Sequence, residues 1–179
     1  MNFKKVFQLL IDFLEKQGID YALIGAFALK AYGYVRATQD IDVLADGGHQ
    51  ERIIEFLESL GFETLYRSSG YSNHVHGLSG LGRIDFVYVR GETAEKIFSQ
   101  TRRLLILDKV SIPVVRPEDL VALKLFAIKN DPKRSLRDMS DIQFLLGLPG
   151  VDMEEVKKFF KAYGQIERFH ELTKGKDKT

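Results

Sequence analysis

Val6, Leu9, Leu10, Phe13 and Leu14 recur at i, i+3, i+4, i+7 and i+8, the spacing of a helix with one apolar stripe. Gly18 stands where a left-handed cap ends that helix. Tyr21-Ala22-Leu23-Ile24 is a short apolar run halted by Gly25, and Phe27 to Tyr32 reads as a helix closed by Gly33. The pattern predicts strand, glycine turn, helix. Asp40-Ile41-Asp42-Val43-Leu44 alternates polar and apolar positions, which predicts a strand with one wet face, turned by Asp46-Gly47-Gly48. Ile53, Phe56, Leu57 and Leu60 return to helical spacing before Gly61.

From Phe62 to Val115 the pattern changes to short β-rich runs near 62–66, 73–78, 83–89, 102–107 and 110–115, with a helix over 92–98. Ser68-Ser69-Gly70, Ser79-Gly80-Leu81-Gly82 and Asp108-Lys109 separate the runs. Pro117 fits the first turn of a helix that reaches about Lys129; Asp131-Pro132 breaks it. Helices over 135–146 and 152–163 follow, the last with Val156, Phe159, Phe160 and Tyr163 as its stripe. The chain thus turns all-helical near Arg116. We expect an α+β core over 1–115, helices over 116–165 packed on it as one structural domain, and a flexible tail over 166–179 that carries Lys174, Lys176 and Lys178.

The 179 residues are 45% hydrophobic and 28% charged, enough to bury a core and unlike a disordered chain. Twenty-six Lys and Arg against 25 Asp and Glu give a net charge of +1, so a polyanion site must be local. With no cysteine there is no disulfide framework and no thiolate nucleophile. Asp12 and Glu15 interrupt the N-terminal apolar pattern, and nowhere do eighteen apolar residues run together, so we expect a cytoplasmic chain without a membrane span.

The candidate chemistry is carboxylate chemistry. Asp40 and Asp42, two apart on a strand, leave the same face with Cα atoms separated by about twice the ~3.3 Å rise per residue. Such a pair suits hard Mg²⁺ or Mn²⁺, held roughly 3.5–4 Å apart in two-metal phosphoryl-transfer sites. Asp85, alone between Ile84 and Phe86 in Gly82-Arg83-Ile84-Asp85-Phe86-Val87-Tyr88-Val89, needs a partner or a purpose and is the candidate third acid. The plainer alternative is a wet strand face, with Asp85 paired to Arg83 or Arg36. Gly25, at a strand-to-helix turn, is either a place where backbone N–H groups approach a phosphate or a packing glycine.

Leu23-Ile24-Gly25-Ala26-Phe27-Ala28-Leu29-Lys30-Ala31-Tyr32-Gly33, with Arg36-Ala37-Thr38-Gln39-Asp40-Ile41-Asp42-Val43-Leu44 and Asp85, resembles the nucleotidyltransferase superfamily of polymerase-β type. Within it the chain looks like the small prokaryotic branch of AbiEii-type toxins and minimal nucleotidyltransferases. Lys124-Leu125-Phe126-Ala127 with Arg134-Ser135-Leu136-Arg137-Asp138-Met139-Ser140-Asp141-Ile142 is similar to that branch's helical Lys-Asp-x-x-Asp motif. The resemblance spans about residues 20–146. It implies a mixed-sheet nucleotidyltransferase core with a C-terminal helical segment and metal-dependent transfer of a nucleoside monophosphate from a triphosphate to an acceptor hydroxyl. Asp40, Asp42 and Asp85 are then catalytic and hold the metal, while Gly25, Ala26, Arg36, Thr38, Lys124, Asp138 and Asp141 bind the nucleotide. The acceptor is RNA, protein or a small molecule, and a toxin-like role implies an antitoxin partner.

Gly25-Ala26 departs from the Gly-Ser or Gly-Gly usual in such enzymes: a hydroxyl is lost and the backbone donors stay. Arg137 stands where the branch often has lysine. Spacing alone also permits Arg134 with Asp138 and Arg137 with Asp141 as intrahelical pairs, and Lys124 as a stem over apolar surface. His74 and His76 lack a third ligand and are expected on an exposed strand edge. Lys129, Lys133, Arg134 and Arg137 either receive an RNA acceptor or solvate helix ends. A haloacid-dehalogenase-type phosphatase expects a hydrophobic strand before its first aspartate, where this chain has Arg36-Ala37-Thr38-Gln39. The competing class is a catalytically weak or inactive module of the same fold that binds a nucleotide or protein; Ala26 favours it, and the three acids favour catalysis.

Overall fold

Asn2 accepts a hydrogen bond from the Lys5 backbone N–H at 3.2 Å and caps α1, Phe3–Lys16. In the computed structural model, which describes residues 2–77, 82–107 and 110–174, α1 buries Val6, Phe7, Leu10, Ile11 and Leu14. Phe7 meets Phe27 edge-on at 5.0 Å, so the buried stripe is turned from the expected one and Leu9 is left exposed. Phe13 instead stacks on Phe56, with ring centroids 3.8 Å apart. The chain divides into two compact units, Met1–Val115 and Arg116–Thr179, at the point where the pattern turns all-helical.

Among the described residues the first unit is built on seven strands: β1 Tyr21–Leu23, β2 Asp40–Asp46, β3 Phe62–Ser68, β4 Tyr71–His76, β5 Arg83–Val89, β6 Arg102–Ile106 and β7 Val110–Val114. Their order is β3-β4-β5-β2-β1-β7-β6. The sheet is mixed: β2 runs parallel to β5 and β1 to β7, and the other neighbours are antiparallel. Helices α2 Gly25–Ala31, α3 Gln50–Ser59 and α4 Gly91–Ser99 complete the unit. The period of two sorts β2 and β5 into faces. Ile41, Val43 and Ala45 share one face with Ile84, Phe86 and Tyr88, all buried. Val6 and Leu10 of α1, Leu57 of α3 and Ile84 line one apolar cavity, so these helices cover that face. The opposite face carries Asp40, Asp42 and Asp85.

The expected histidine edge is corrected. β4 lies inside the sheet between β3 and β5, and His74 is fully buried. Its Nδ1 lies 3.1 Å from the Thr64 hydroxyl and its Nε2 2.8 Å from that of Ser72, which also meets the Tyr88 hydroxyl at 2.8 Å. With both ring nitrogens engaged, His74 is a satisfied core residue. Burial pushes its pKa below the ordinary value, opposed by the charges of Glu58 and Asp85. The unfolded chain therefore binds this proton more readily, so His74 contributes stability that is present above about pH 6.5 and lost as the pH falls below it. Melting from about pH 7.5 to 5.5 should cost the wild type more stability than His74→Gln, whose midpoint starts lower and changes less.

The second unit holds α5 Pro117–Asn130, α6 Ser135–Leu145, α7 Met153–Ala162 and α8 Ile166–Thr173. Pro117 occupies the first turn of α5, and Asp152 caps α7 through the Glu154 and Glu155 N–H groups. Arg116 joins α5 to α7, 3.0 Å from Asp119 and 3.2 Å from Glu155. The tail expected from residue 166 is instead helix through Thr173, because Phe169 is buried against Phe160 at 5.4 Å. Ser79, Gly80, Leu81, Asp108, Lys109, Lys176 and Lys178, named above in turns and the tail, lie outside the described residues. Among the described residues no helix is long and apolar enough to cross a membrane.

Candidate active site

Where β1 ends, the chain turns sharply over β2. The Ile24 N–H donates to the Asp42 carbonyl at 3.1 Å, and Gly25 then takes φ +64° to start α2. A Cβ on Gly25 would lie 2.0 Å from Asp42 Oδ2 and 2.5 Å from its Cγ. The Asp42 carboxylate thus fills the space that a side chain at position 25 would need, which is why the turn requires glycine. Ala26 is buried. Thr38 fixes the start of β2: its hydroxyl lies 3.2 Å from the Asp40 carbonyl and 3.3 Å from the Asp40 N–H. Arg36 is half-buried between α2 and β2.

The parallel ladder places Asp85 directly opposite Asp42, and Arg83 opposite Asp40. All three candidate acids therefore stand on one face of two adjacent strands. Asp85 is buried, and its Oδ1 accepts hydrogen bonds from the Asn73 side-chain amide and, at 3.2 Å, from Arg83 Nε. Asn73 is the Cα partner of Asp85 on β4. Tyr71, on the same face, has its pKa raised by burial and then by the Asp85 charge. The Arg83 pairing that sequence allowed is present; Asn73 is the residue sequence reasoning missed, since its pairing depends on the β4–β5 register.

Among the described residues, no group of three or more His, Cys, Asp and Glu side chains is drawn together as a metal cage. The donors nevertheless suit a hard divalent cation: carboxylates two residues apart on one strand face, with Asp42 seated over a turn that has no side chain. Asp85 stands one strand away, held by Asn73 and Arg83.

In the second unit, Lys124 Nζ lies 3.3 Å from Asp138 Oδ1 and 2.5 Å from Asp141 Oδ2. The two aspartates are 0% and 1% exposed, so neither is a solvated helix face. Arg134 Nε meets Asp138 Oδ2 at 3.0 Å, the expected intrahelical pair, and Arg137 lies 3.8 Å from Asp138. Lys124 is neither a stem over apolar surface nor a solvent-facing cation; it joins α5 to α6 through two buried carboxylates. Lys129 and Lys133 are exposed near the same helix ends.

Residues 83–177 match the protein family described as nucleotidyl transferase AbiEii toxin, Type IV TA system. The match contains Asp85, Lys124, Asp138 and Asp141. No curated protein sequence matches the chain. Among solved structures, the antibiotic-resistance factor ANT(2'')-Ia aligns over 100% of both chains at 13% identity, with a TM-score of 0.69. The lincosamide antibiotic adenylyltransferase LnuA, lincomycin-bound, aligns over 80% of this chain and 96% of its own at 17% identity, with a TM-score of 0.55. At these identities the likeness is one of fold.

Proposed function

We propose that this chain, which belongs to the AbiEii nucleotidyl transferase toxin family, moves a nucleoside monophosphate from a nucleoside triphosphate to an acceptor hydroxyl and releases pyrophosphate. The observation that carries this reading is the placement of Asp40, Asp42 and Asp85 on one face of two parallel strands, with Asp42 over the Gly25 turn. Asp40 and Asp42 would hold Mg²⁺ or Mn²⁺ with the triphosphate, and Asp85 would share the second cation. Bound there, the cations neutralise charge on the phosphates. Asp85 orients the acceptor hydroxyl and takes its proton as the oxygen bonds to the α-phosphorus and the bond to pyrophosphate breaks.

Backbone groups at Gly25 and Ala26 and the charge of Arg36 face the triphosphate, while Thr38 acts through the Asp40 backbone. Lys124, Asp138 and Asp141 contribute through the helix pair they lock, since the ammonium is already committed to two carboxylates. The acceptor is an RNA, protein or small-molecule hydroxyl. The family's description as a toxin supports an antitoxin partner and a cytoplasmic setting.

Calorimetry beside a label-transfer assay tests the roles of the acids. Asp40→Asn and Asp42→Asn should each weaken Mg²⁺-dependent triphosphate binding about tenfold or more, and turnover with it. Asp85→Asn should leave affinity within a few-fold and lower kcat at least ~10²-fold. Equal loss of binding in all three would merge them into one cage, and unchanged transfer in Asp85→Asn would remove it from the site.

A further inference from the structure

Asp85 lies in an apolar strand, where a carboxylate free to rotate would present no fixed oxygen to a cation or an acceptor. The Tyr71 hydroxyl hydrogen-bonds its carboxylate, and two donors meet one oxygen, Oδ1: the Asn73 side-chain amide and Arg83 Nε. They differ in rigidity. The Arg83 side chain is 46% exposed and long, so it can leave its partner at little cost. Asn73 is 4% exposed and cross-strand partner of Asp85 in the β4–β5 ladder, so its amide is fixed by the sheet itself. Its neighbours Ser72 and His74 spend their polar atoms on the other face, in the chain from Thr64 to Tyr88, so on the face of Asp85 β4 presents Asn73 beside Tyr71. The antiparallel pairing places it there through main-chain register, before any ligand arrives.

We infer that Asn73 is a positioning residue for nucleotidyl transfer: by loading Oδ1 it fixes the plane of the Asp85 carboxylate and turns Oδ2 to the face shared with Asp40 and Asp42. The inference rests on the proposed function. Partners of this kind, which hold a ligand rather than the metal, change metal affinity or activity by about 10- to 100-fold when removed. Asn73 exerts its effect only through Asp85, and this separates it from a residue that merely stabilises the sheet.

The test is titration of the intact chain with Mn²⁺ alone, followed by electron paramagnetic resonance, beside a melting curve for each variant. Asn73→Ala should raise the half-saturating Mn²⁺ concentration about tenfold, as should Asp85→Asn, and the double variant should show no further rise. Asn73→Ser, smaller and still polar, serves if the alanine variant does not fold. Wild-type affinity in a folded Asn73 variant would overturn the positioning role, as would effects of Asn73→Ala and Asp85→Asn that multiply in the double variant. Absence of Mn²⁺ binding by the wild type would overturn the cation site itself, and the inference with it.

Discussion

Gly25→Ala is expected to lower stability by about 2 kcal/mol and to abolish metal-supported triphosphate binding. Two costs add. A side chain at φ +64° sits in the left-handed region, which costs a non-glycine residue roughly 1–2 kcal/mol. The new Cβ would also lie 2.0 Å from Asp42 Oδ2, so the carboxylate must leave its place over the turn. Either motion removes Asp42 from the face it shares with Asp40 and Asp85. The double variant with Asp42→Ala removes the carboxylate from the clash and keeps the backbone strain and a 2.8 Å approach of the two Cβ atoms, so its loss of stability should be smaller than the sum of the single losses. Thermal melting and calorimetry of the three variants check this; full binding by Gly25→Ala would show that Asp42 needs no such seat.

Lys124→Met should destabilise the second unit by about 3–5 kcal/mol, because it removes the cation that two buried carboxylates share. Arg134 and Arg137 stay beside Asp138 and offset part of this. Adding Asp138→Asn and Asp141→Asn removes the uncompensated charge, so the triple variant should be more stable than Lys124→Met. Denaturant unfolding measures both. A loss under about 1 kcal/mol in Lys124→Met would mean that the cluster contributes no more than a surface pair.

Local pattern carried most of the fold. The apolar spacing of α1, α3 and α7, the alternation in β2 and the glycine before α2 are all properties of neighbours in sequence. The Asp-x-Asp pair and Asp85 were legible for the same reason, since period two fixes which face a strand residue takes. What could not be read depends on pairing between distant segments. Nothing local states that β4 lies between β3 and β5, so His74 looked like an edge residue and Asn73 carried no sign that Asp85 was its partner. Lys124 lies 14 and 17 residues from Asp138 and Asp141, and only the packing of α5 on α6 closes that distance. In α8, Ile166 and Phe169 are diluted by Glu167, Arg168 and Glu171, which hid a helix where a tail was expected.

The position of a phosphate label distinguishes transfer of the nucleotide from transfer of its terminal phosphate. The wild-type chain, with Mg²⁺, is incubated with each nucleoside triphosphate labelled at either the α- or the γ-phosphate, in the presence of total RNA and cell extract. The α-label is expected to become covalently attached to an acceptor while γ-label appears as pyrophosphate, and both signals should vanish in Asp42→Asn. Attachment of the γ-label, or triphosphate binding with neither label transferred, would contradict nucleotidyl transfer.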